Sequence, residues 1–427
     1  MYIDPPYNTE SAHNDGNSVA NDKENISSNR FVYRDKFSRN GWLNMMHERL
    51  KLAKKLLRND GIIFISIDHN EHAYLKVLMD EIFGESNFIC DFVWQRKNMG
   101  SAKDAKYIAT LTENILMYAK NEQLLTNKIN KQKFDVNDAS YQFEDSHVET
   151  RGKYKLNQLD RRGLSWSENA DYEFVHNGIT YYAGGVDKSE WIKRKTNHNI
   201  KDWTWRWSKE KLLHGIKNDF IVFKNNKIFT KQYQFVDKDN NQIEREYNYN
   251  NLILNIYNQD ANKELISIFN DKKVFSFPKP VFLIKFLINL YKDKNAKVLD
   301  FFAGSGTTGH AVEDLNRQDG GNRSYTLVTN NENNIGYEIT YERLFRINNG
   351  KTTYDQPIKW TETNQAYNSN LDVFNVKYES TNLQDSRNIN QIIVKISKML
   401  SDFNVDNRKI EYKQILNQLK TLRKIDK

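Results

Sequence analysis

The sequence predicts an α/β chain built on a doubly wound, mostly parallel sheet, with an α+β segment inserted between its two halves. Three observations carry this. Ile62-Ile63-Phe64-Ile65-Ser66-Ile67 is a nearly continuous apolar run between two stretches of helical periodicity, as in a parallel strand buried on both faces. Val298-Leu299-Asp300 runs into a Gly-rich turn and then a helix. Between these, over 121–271, βα alternation gives way to aromatics interleaved with basic and amide residues. A chain of 427 residues suits two to three domains, with boundaries at 1–120, 121–271, 272–380 and 381–427.

The chain opens on an apolar strand stub, Met1-Tyr2-Ile3, leading into Asp4-Pro5-Pro6-Tyr7. That tetrapeptide suits holding a flat amine. A carboxylate accepts from the N–H, two prolines stiffen the turn and aim its carbonyls, and an aromatic ring stacks on the base face. A plain Pro-Pro turn after a strand would read the same. Positions 9–29 are polar and predict a mobile loop over this turn. Trp42, Met45, Met46, Leu50, Ala53 and Leu57 fall at helical spacing, and Asn59-Asp60-Gly61 stops that helix. The buried strand at 62–67 follows, then a helix over 72–83 and strands near 88–95 and 113–118.

Within 121–271 the notable cations are Lys153, Arg161, Arg162, Arg194 and Arg206, set among tryptophans. Cations neutralise phosphates and aromatics stack on bases, so these five are read as DNA contacts. Trp203, Trp205 and Trp207 equally fit one face of a strand buried in a small β core. After the insertion, Phe277-Pro278-Lys279-Pro280 opens a helix. Gly304-x-Gly306-x-x-Gly309 then joins strand to helix, where glycine lets a ligand approach backbone near a helix N-terminus. As a pattern it also fits a dinucleotide fingerprint. A strand at 324–329 precedes Glu332, which either grips ribose hydroxyls or caps the next helix. A strand at 371–378, an amphipathic helix over 389–400 and a basic helix over 412–424 complete the chain.

Taken together, the motifs resemble the β class of DNA adenine-N6 methyltransferases, and more narrowly the modification (Mod) subunit of type III restriction–modification systems. The likeness rests on the order of Asp-Pro-Pro-Tyr, a long variable middle, and Phe302-Ala303-Gly304-Ser305-Gly306. It extends through 40–71, 152–165, 277–287 and 320–343. The resemblance implies the S-adenosylmethionine-dependent methyltransferase fold in permuted motif order, with 121–271 as target-recognition domain. It assigns Asp4, Pro5, Pro6 and Tyr7 to catalysis. Asp300, Phe302, Ala303, Gly304, Ser305, Gly306, Glu332 and Lys279 go to S-adenosylmethionine, and NAD is disfavoured because Asp-Pro-Pro-Tyr has no place in a dehydrogenase. The implied partners are double-stranded DNA with a flipped adenine, a second copy of the chain, and a type III restriction (Res) subunit. Family members carry sequence ahead of the Asp-Pro-Pro-Tyr strand, and here only Met1, Tyr2 and Ile3 of that strand are present. The alternative is therefore a catalytically impaired, truncated DNA-binding specificity module. An RNA or protein amine methyltransferase is disfavoured by the basic, aromatic insertion.

Composition agrees with this reading. A formal charge of +8 and pI near 9.0 suit a polyanionic partner. Cys90 is the single cysteine, so no intramolecular disulfide can form, and a reducing cytoplasm is expected. The apolar stretch 281–291 is broken by Lys285 and is too short to cross a bilayer, and no signal-peptide pattern opens the chain. His69, Glu71 and His72 lack metal-ligand spacing and predict a surface turn. Asp68 either joins the amine pocket or caps the following helix. No metal is expected.

Overall fold

The computed structural model describes residues 1–8, 19–21, 33–36, 39–98, 107–163, 165–376 and 386–402. Its first elements are β1 (Tyr2–Ile3), β2 (Val19–Asn21), β3 (Tyr33–Lys36), α1 (Arg39–Leu56), β4 (Ile62–Ile67), α2 (His72–Phe83), β5 (Phe88–Gln95) and β6 (Thr112–Ala119). Every residue of β4 is buried, and its two-residue period divides the core. Ile63, Ile65 and Ile67 pack with Trp42, Met46 and Leu50 of α1 and Leu75 and Met79 of α2. Ile62 and Phe64 pack with Leu283, Ile284 and Leu287 from the helix Val281–Asn289 and with Ala311 and Val312 from Thr307–Asp319. Helices thus cover both faces of the sheet, which is why β4 carries no polar alternation.

The sheet order is β1, β4, β6, β5 and then Leu252–Ile253. β1 runs parallel to β4, with Tyr2 opposite Phe64 and Ile3 opposite Ile65. β6 is antiparallel to both β4 and β5, and Leu252–Ile253 is parallel to β5. Lys297–Asp300 pairs in parallel with Ser324–Leu327 and lies beside β1. Asp4 and Asp300 therefore leave neighbouring strands, the arrangement that forms a ligand crevice in open α/β sheets.

The insertion has its own α+β core. Tyr154–Gln158 pairs with Lys227–Tyr233, which pairs with Ile221–Lys224, all antiparallel. Leu159, Phe174, Tyr181, Trp205, Leu212 and Ile228 bury together beneath this sheet and its hairpin. Leu252–Ile253 extends the main sheet, and Asn258–Ile268 packs near Glu342–Asn349.

Two expectations change. Val19–Asn21, inside the stretch expected as loop, pairs with β3. Positions 371–376 form no strand among the described residues. The remainder of the 9–29 loop and the basic helix expected over 412–424 lie outside the described residues. From 370 onward the chain is a separate unit containing the amphipathic helix Ser386–Asp402.

Candidate active site

Asp4-Pro5-Pro6-Tyr7 is pinned from three sides. Trp42 Nε1 donates to the Pro6 carbonyl at 2.7 Å. Tyr7 Oη donates to Glu113 Oε2 at 2.9 Å, and Asn8, in the left-handed region at φ 55°, donates from Nδ2 to Glu71 Oε1 at 2.6 Å. Glu71 is buried, so it belongs to this site and not to the surface turn expected from the sequence; Asn8 draws it inward. The Pro6 carbonyl is already engaged by Trp42, which leaves Pro5 as the carbonyl better placed to share an incoming amine.

Lys279 completes the cluster. Its Nζ lies 2.9 Å from Asp4 Oδ1, 3.4 Å from Glu113 Oε2 and 4.7 Å from the Tyr7 ring centroid. The contact with Asp4 is an ion pair at a buried oxygen, Oδ1, whose near partner is the Lys279 ammonium. Burial raises the Asp4 pKa above the ordinary carboxylate value, more than Lys279 lowers it. Burial opposes the Lys279 ammonium, yet Asp4 and Glu113 together outweigh it and raise its pKa. Lys279 thus contacts Asp4, Glu113 and the Tyr7 ring, since two buried carboxylates draw the ammonium to this side of the crevice.

The second half of the site is the turn after Asp300. Asp300 accepts from Phe302 N at 3.0 Å and from Thr308 Oγ1 at 2.5 Å. Burial nevertheless pushes its pKa up to about 7. Gly304 and Gly306 adopt φ of 50° and 77°, which glycine tolerates without strain. A Cβ on Gly306 would lie 3.3 Å from Thr340 Cγ2, so its tight approach is to protein as well as to any ligand. Ala303 is buried, its amide bonded to the Val328 carbonyl at 3.2 Å. The amides of Gly304 and Ser305 meet no acceptor among the described residues and stand at the N-terminal end of Thr307–Asp319. Two free donors there suit an anionic or strongly polar ligand group.

Beneath the turn lies Arg343, 1 % exposed, donating to Ser305 Oγ (3.1 Å), Thr307 Oγ1 (2.8 Å) and the Ser305 carbonyl (3.3 Å). The Ser305 hydroxyl therefore points into the protein, and only its backbone is offered to a ligand. Burial, then the Arg343 charge, holds the His310 pKa well below its ordinary value, so its neutral ring accepts from Arg343 at 3.2 Å. Phe302 is partly buried in the same apolar cluster as Tyr7. Glu332 begins the short helical turn Glu332–Asn334. Asp68 accepts from the Asn70 amide and side chain and so shapes its own turn.

The five cations read as DNA contacts separate. Arg194 is buried and forms a fork on Asp171, with Nε and Nη2 each 2.7 Å from a carboxylate oxygen. It is a structural ion pair and cannot reach a phosphate without breaking that fork. Lys153 is exposed and paired with Glu144 at 2.7 Å. Arg161, Arg162 and Arg206 are exposed and form no ion pair among the described residues. Trp205 is buried in the insertion core with Trp203 and Trp207 packed beside it, but the strand there is only Thr204–Trp205 and does not carry all three on one face.

Sequence reasoning missed Trp42, Glu113, Thr308 and Arg343 as parts of the site. Only Glu113 left a trace, as a carboxylate just ahead of the apolar run Ile115–Ala119.

A family model described as DNA methylase matches residues 1–349. The Mod subunit of the type III enzyme StyLTI from Salmonella typhimurium is 32 % identical over 393 residues, covering 87 % of this chain and 55 % of the relative. Type II methyltransferase M.KpnI from Klebsiella pneumoniae is 33 % identical over 358 residues, covering 81 % of this chain and 78 % of the relative. The EcoPI Mod subunit of Escherichia phage P1 is 29 % identical, covering 81 % and 57 %. The chain spans just over half the length of these type III relatives. Among solved structures, the cytosine-N4-specific PvuII DNA methyltransferase aligns over 81 % of this chain and 82 % of its own, at 13 % identity and TM-score 0.37. That likeness is too loose to argue from, and the fold assignment rests on the strand order above.

Proposed function

Because the chain belongs to the DNA methylase family, we propose that it transfers a methyl group from S-adenosylmethionine to the N6 amine of adenine in DNA, as the modification subunit of a type III restriction–modification system. One observation carries this most: Asp4, its buried Oδ1 ion-paired with Lys279 at 2.9 Å, follows the strand next to the one that presents Asp300. An amine acceptor and a Gly-rich ligand turn thus share one crevice.

When bound, S-adenosylmethionine supplies an electrophilic methyl on its sulfonium. Asp300 and the amides of Gly304 and Ser305 are the groups of this chain suited to hold it, with Phe302, Ala303 and Gly306 shaping the turn and Glu332 reaching the ribose. Asp4 Oδ1 accepts from the target N–H, and the Pro5 carbonyl takes the second N–H. Both acceptors are fixed before the reaction, so they orient the nitrogen lone pair and favour the positive charge developing on it. Tyr7 presents its ring to the base. An adenine inside a duplex cannot reach these groups, so the base rotates out of the helix.

In this reading 121 to the strand at Leu252 is the target-recognition domain, with Arg161, Arg162 and Arg206 on phosphates. A second copy of the chain and a Res subunit are further partners, and the cytoplasm is the compartment. Among the described residues no helix is long and apolar enough to cross a membrane. The test incubates the purified chain with tritiated S-adenosylmethionine and mixed-sequence DNA, then digests the DNA to nucleosides. Label in N6-methyladenine is the expected result. Label in N4-methylcytosine alone, or S-adenosylmethionine binding with no DNA product, would overturn the proposal.

A further inference from the structure

Glu113 heads β6, far in sequence from the Asp4 motif, and its side chain is 6 % exposed. A carboxylate buried at that depth is costly, and an apolar residue of similar size would often be the more stable choice. What distinguishes Glu113 is its partners. Tyr7 Oη donates to it at 2.9 Å, Lys279 Nζ lies 3.4 Å away, and Arg96 Nε lies 3.4 Å from its other oxygen. Two of these three belong to the amine-binding cluster. A phenol ring swings about its Cα–Cβ and Cβ–Cγ bonds, and fixing the hydroxyl at its far end removes that freedom. Lys279 keeps Asp4 as its nearer carboxylate whether or not Glu113 is present, so the ring depends on Glu113 more than the ammonium does.

We infer that Glu113 is a positioning residue of the methyl-acceptor site, acting through the Tyr7 hydroxyl to hold the ring on which the target base stacks. The inference rests on the reading that Asp4 and Tyr7 receive that base. Glu113 touches neither base nor cofactor and contributes only by where it holds Tyr7. A ring displaced by about an ångström misaligns the stacked base, which lowers the turnover by roughly a hundredfold. The cofactor turn lies on a different strand and should be indifferent.

The experiment measures kcat, KM for DNA and S-adenosylmethionine affinity for Glu113→Ala, Glu113→Gln, Tyr7→Phe, the Tyr7→Phe/Glu113→Ala double variant and Asp4→Ala. Glu113→Ala and Tyr7→Phe should each lose about a hundredfold in kcat with cofactor affinity unchanged. Glu113→Gln still accepts from the phenol and should recover about tenfold of that loss. The double variant should be within about threefold of Tyr7→Phe alone, since both changes remove one interaction. Losses that multiply in the double variant, a Gln variant as poor as the Ala variant, or cofactor affinity falling in step with turnover would each overturn the inference. If Asp4→Ala keeps full activity, the underlying reading of the site fails instead, and the two failures are told apart.

Discussion

Arg194 offers the sharpest contrast between a DNA contact and a structural ion pair, and Arg194→Ala separates them. Asp171 is fully buried and accepts from Arg194 Nε and Nη2 at 2.7 Å each, from Trp166 Nε1 at 3.0 Å and from Trp191 Nε1 at 3.2 Å. Removing the guanidinium leaves a buried carboxylate without a counter-charge, a change that costs about 3–5 kcal/mol in comparable pairs. The two indole donors remain and continue to solvate one side of Asp171, so the lower end, about 3 kcal/mol, is expected. With a urea slope of about 2 kcal/mol per molar, the unfolding midpoint of the insertion should fall by about 1.5 M. Trp166 and Trp191 adjoin the lesion, so tryptophan fluorescence reports the transition. In urea-free buffer the variant should keep the salt dependence of DNA binding, since Arg194 releases no counterion. Arg206→Ala should do the reverse, leaving the midpoint in place and reducing the slope of log K against log salt by about one. An Arg194→Ala protein with an unchanged midpoint and a flatter salt slope would refute this account and return Arg194 to the DNA surface.

Asp4→Ala should abolish methyl transfer while leaving S-adenosylmethionine affinity nearly unchanged, as calorimetry and tritium incorporation can show; parallel loss of both would contradict the division of the site. Gly306→Val should abolish cofactor binding, because valine at φ 77° is strained and its side chain meets Thr340 at the turn. Calorimetry with S-adenosylmethionine and NAD in parallel checks it, and tight NAD binding by the unaltered protein would defeat the methyltransferase reading. Asp300 has a folded pKa of about 7, raised by burial, so it favours the folded state most below its unfolded value near 4 and loses that contribution as pH rises to about 7. The stability difference between the unaltered protein and Asp300→Asn should therefore shift against Asp300 from about pH 4 to pH 7 and be flat above. The Met1 amino group, which burial lowers to about 5, interacts with Asp300 and titrates in the same window, so the difference carries their coupling as well. A difference that is flat throughout would mean that Asp300 ionises normally.

Periodicity read the catalytic body well because burial on both faces leaves a plain mark. Ile62–Ile67 cannot be amphipathic when α1 and α2 cover one face and Val281–Asn289 the other. The Gly-rich turn was legible for a similar reason, since positive φ at Gly304 and Gly306 restricts residue choice locally. The insertion was legible in class but not in the duty of each cation. Arg194 and Arg206 look alike as residues among tryptophans, and only Asp171, brought close by the fold, decides that one is buried in a fork and the other exposed. The strand expected over 371–378 is not formed over its described part, 371–376, since alternation of apolar residues alone does not supply a neighbouring strand.

The site residues that escaped notice share one property: each acts through a partner distant in the chain. Glu113 reaches Tyr7, Arg343 reaches Ser305 and Thr307, and Trp42 reaches the Pro6 carbonyl. Motifs record the groups that meet a ligand, because a ligand constrains residue type at fixed spacing. Supporting groups are constrained only by the gap they fill, which sequence spacing does not record. The two motif segments themselves illustrate the consequence. Asp4 and Asp300 are far apart in the chain, yet β1 lies beside Lys297–Asp300. Leu252–Ile253 returns the chain to the sheet beside β5, at the far end of that sheet from β1, so the insertion re-enters away from the crevice. An insertion attached there can vary in length and surface without moving Asp4 relative to Asp300. The insertion and the crevice are thereby joined through the sheet while remaining separable in sequence.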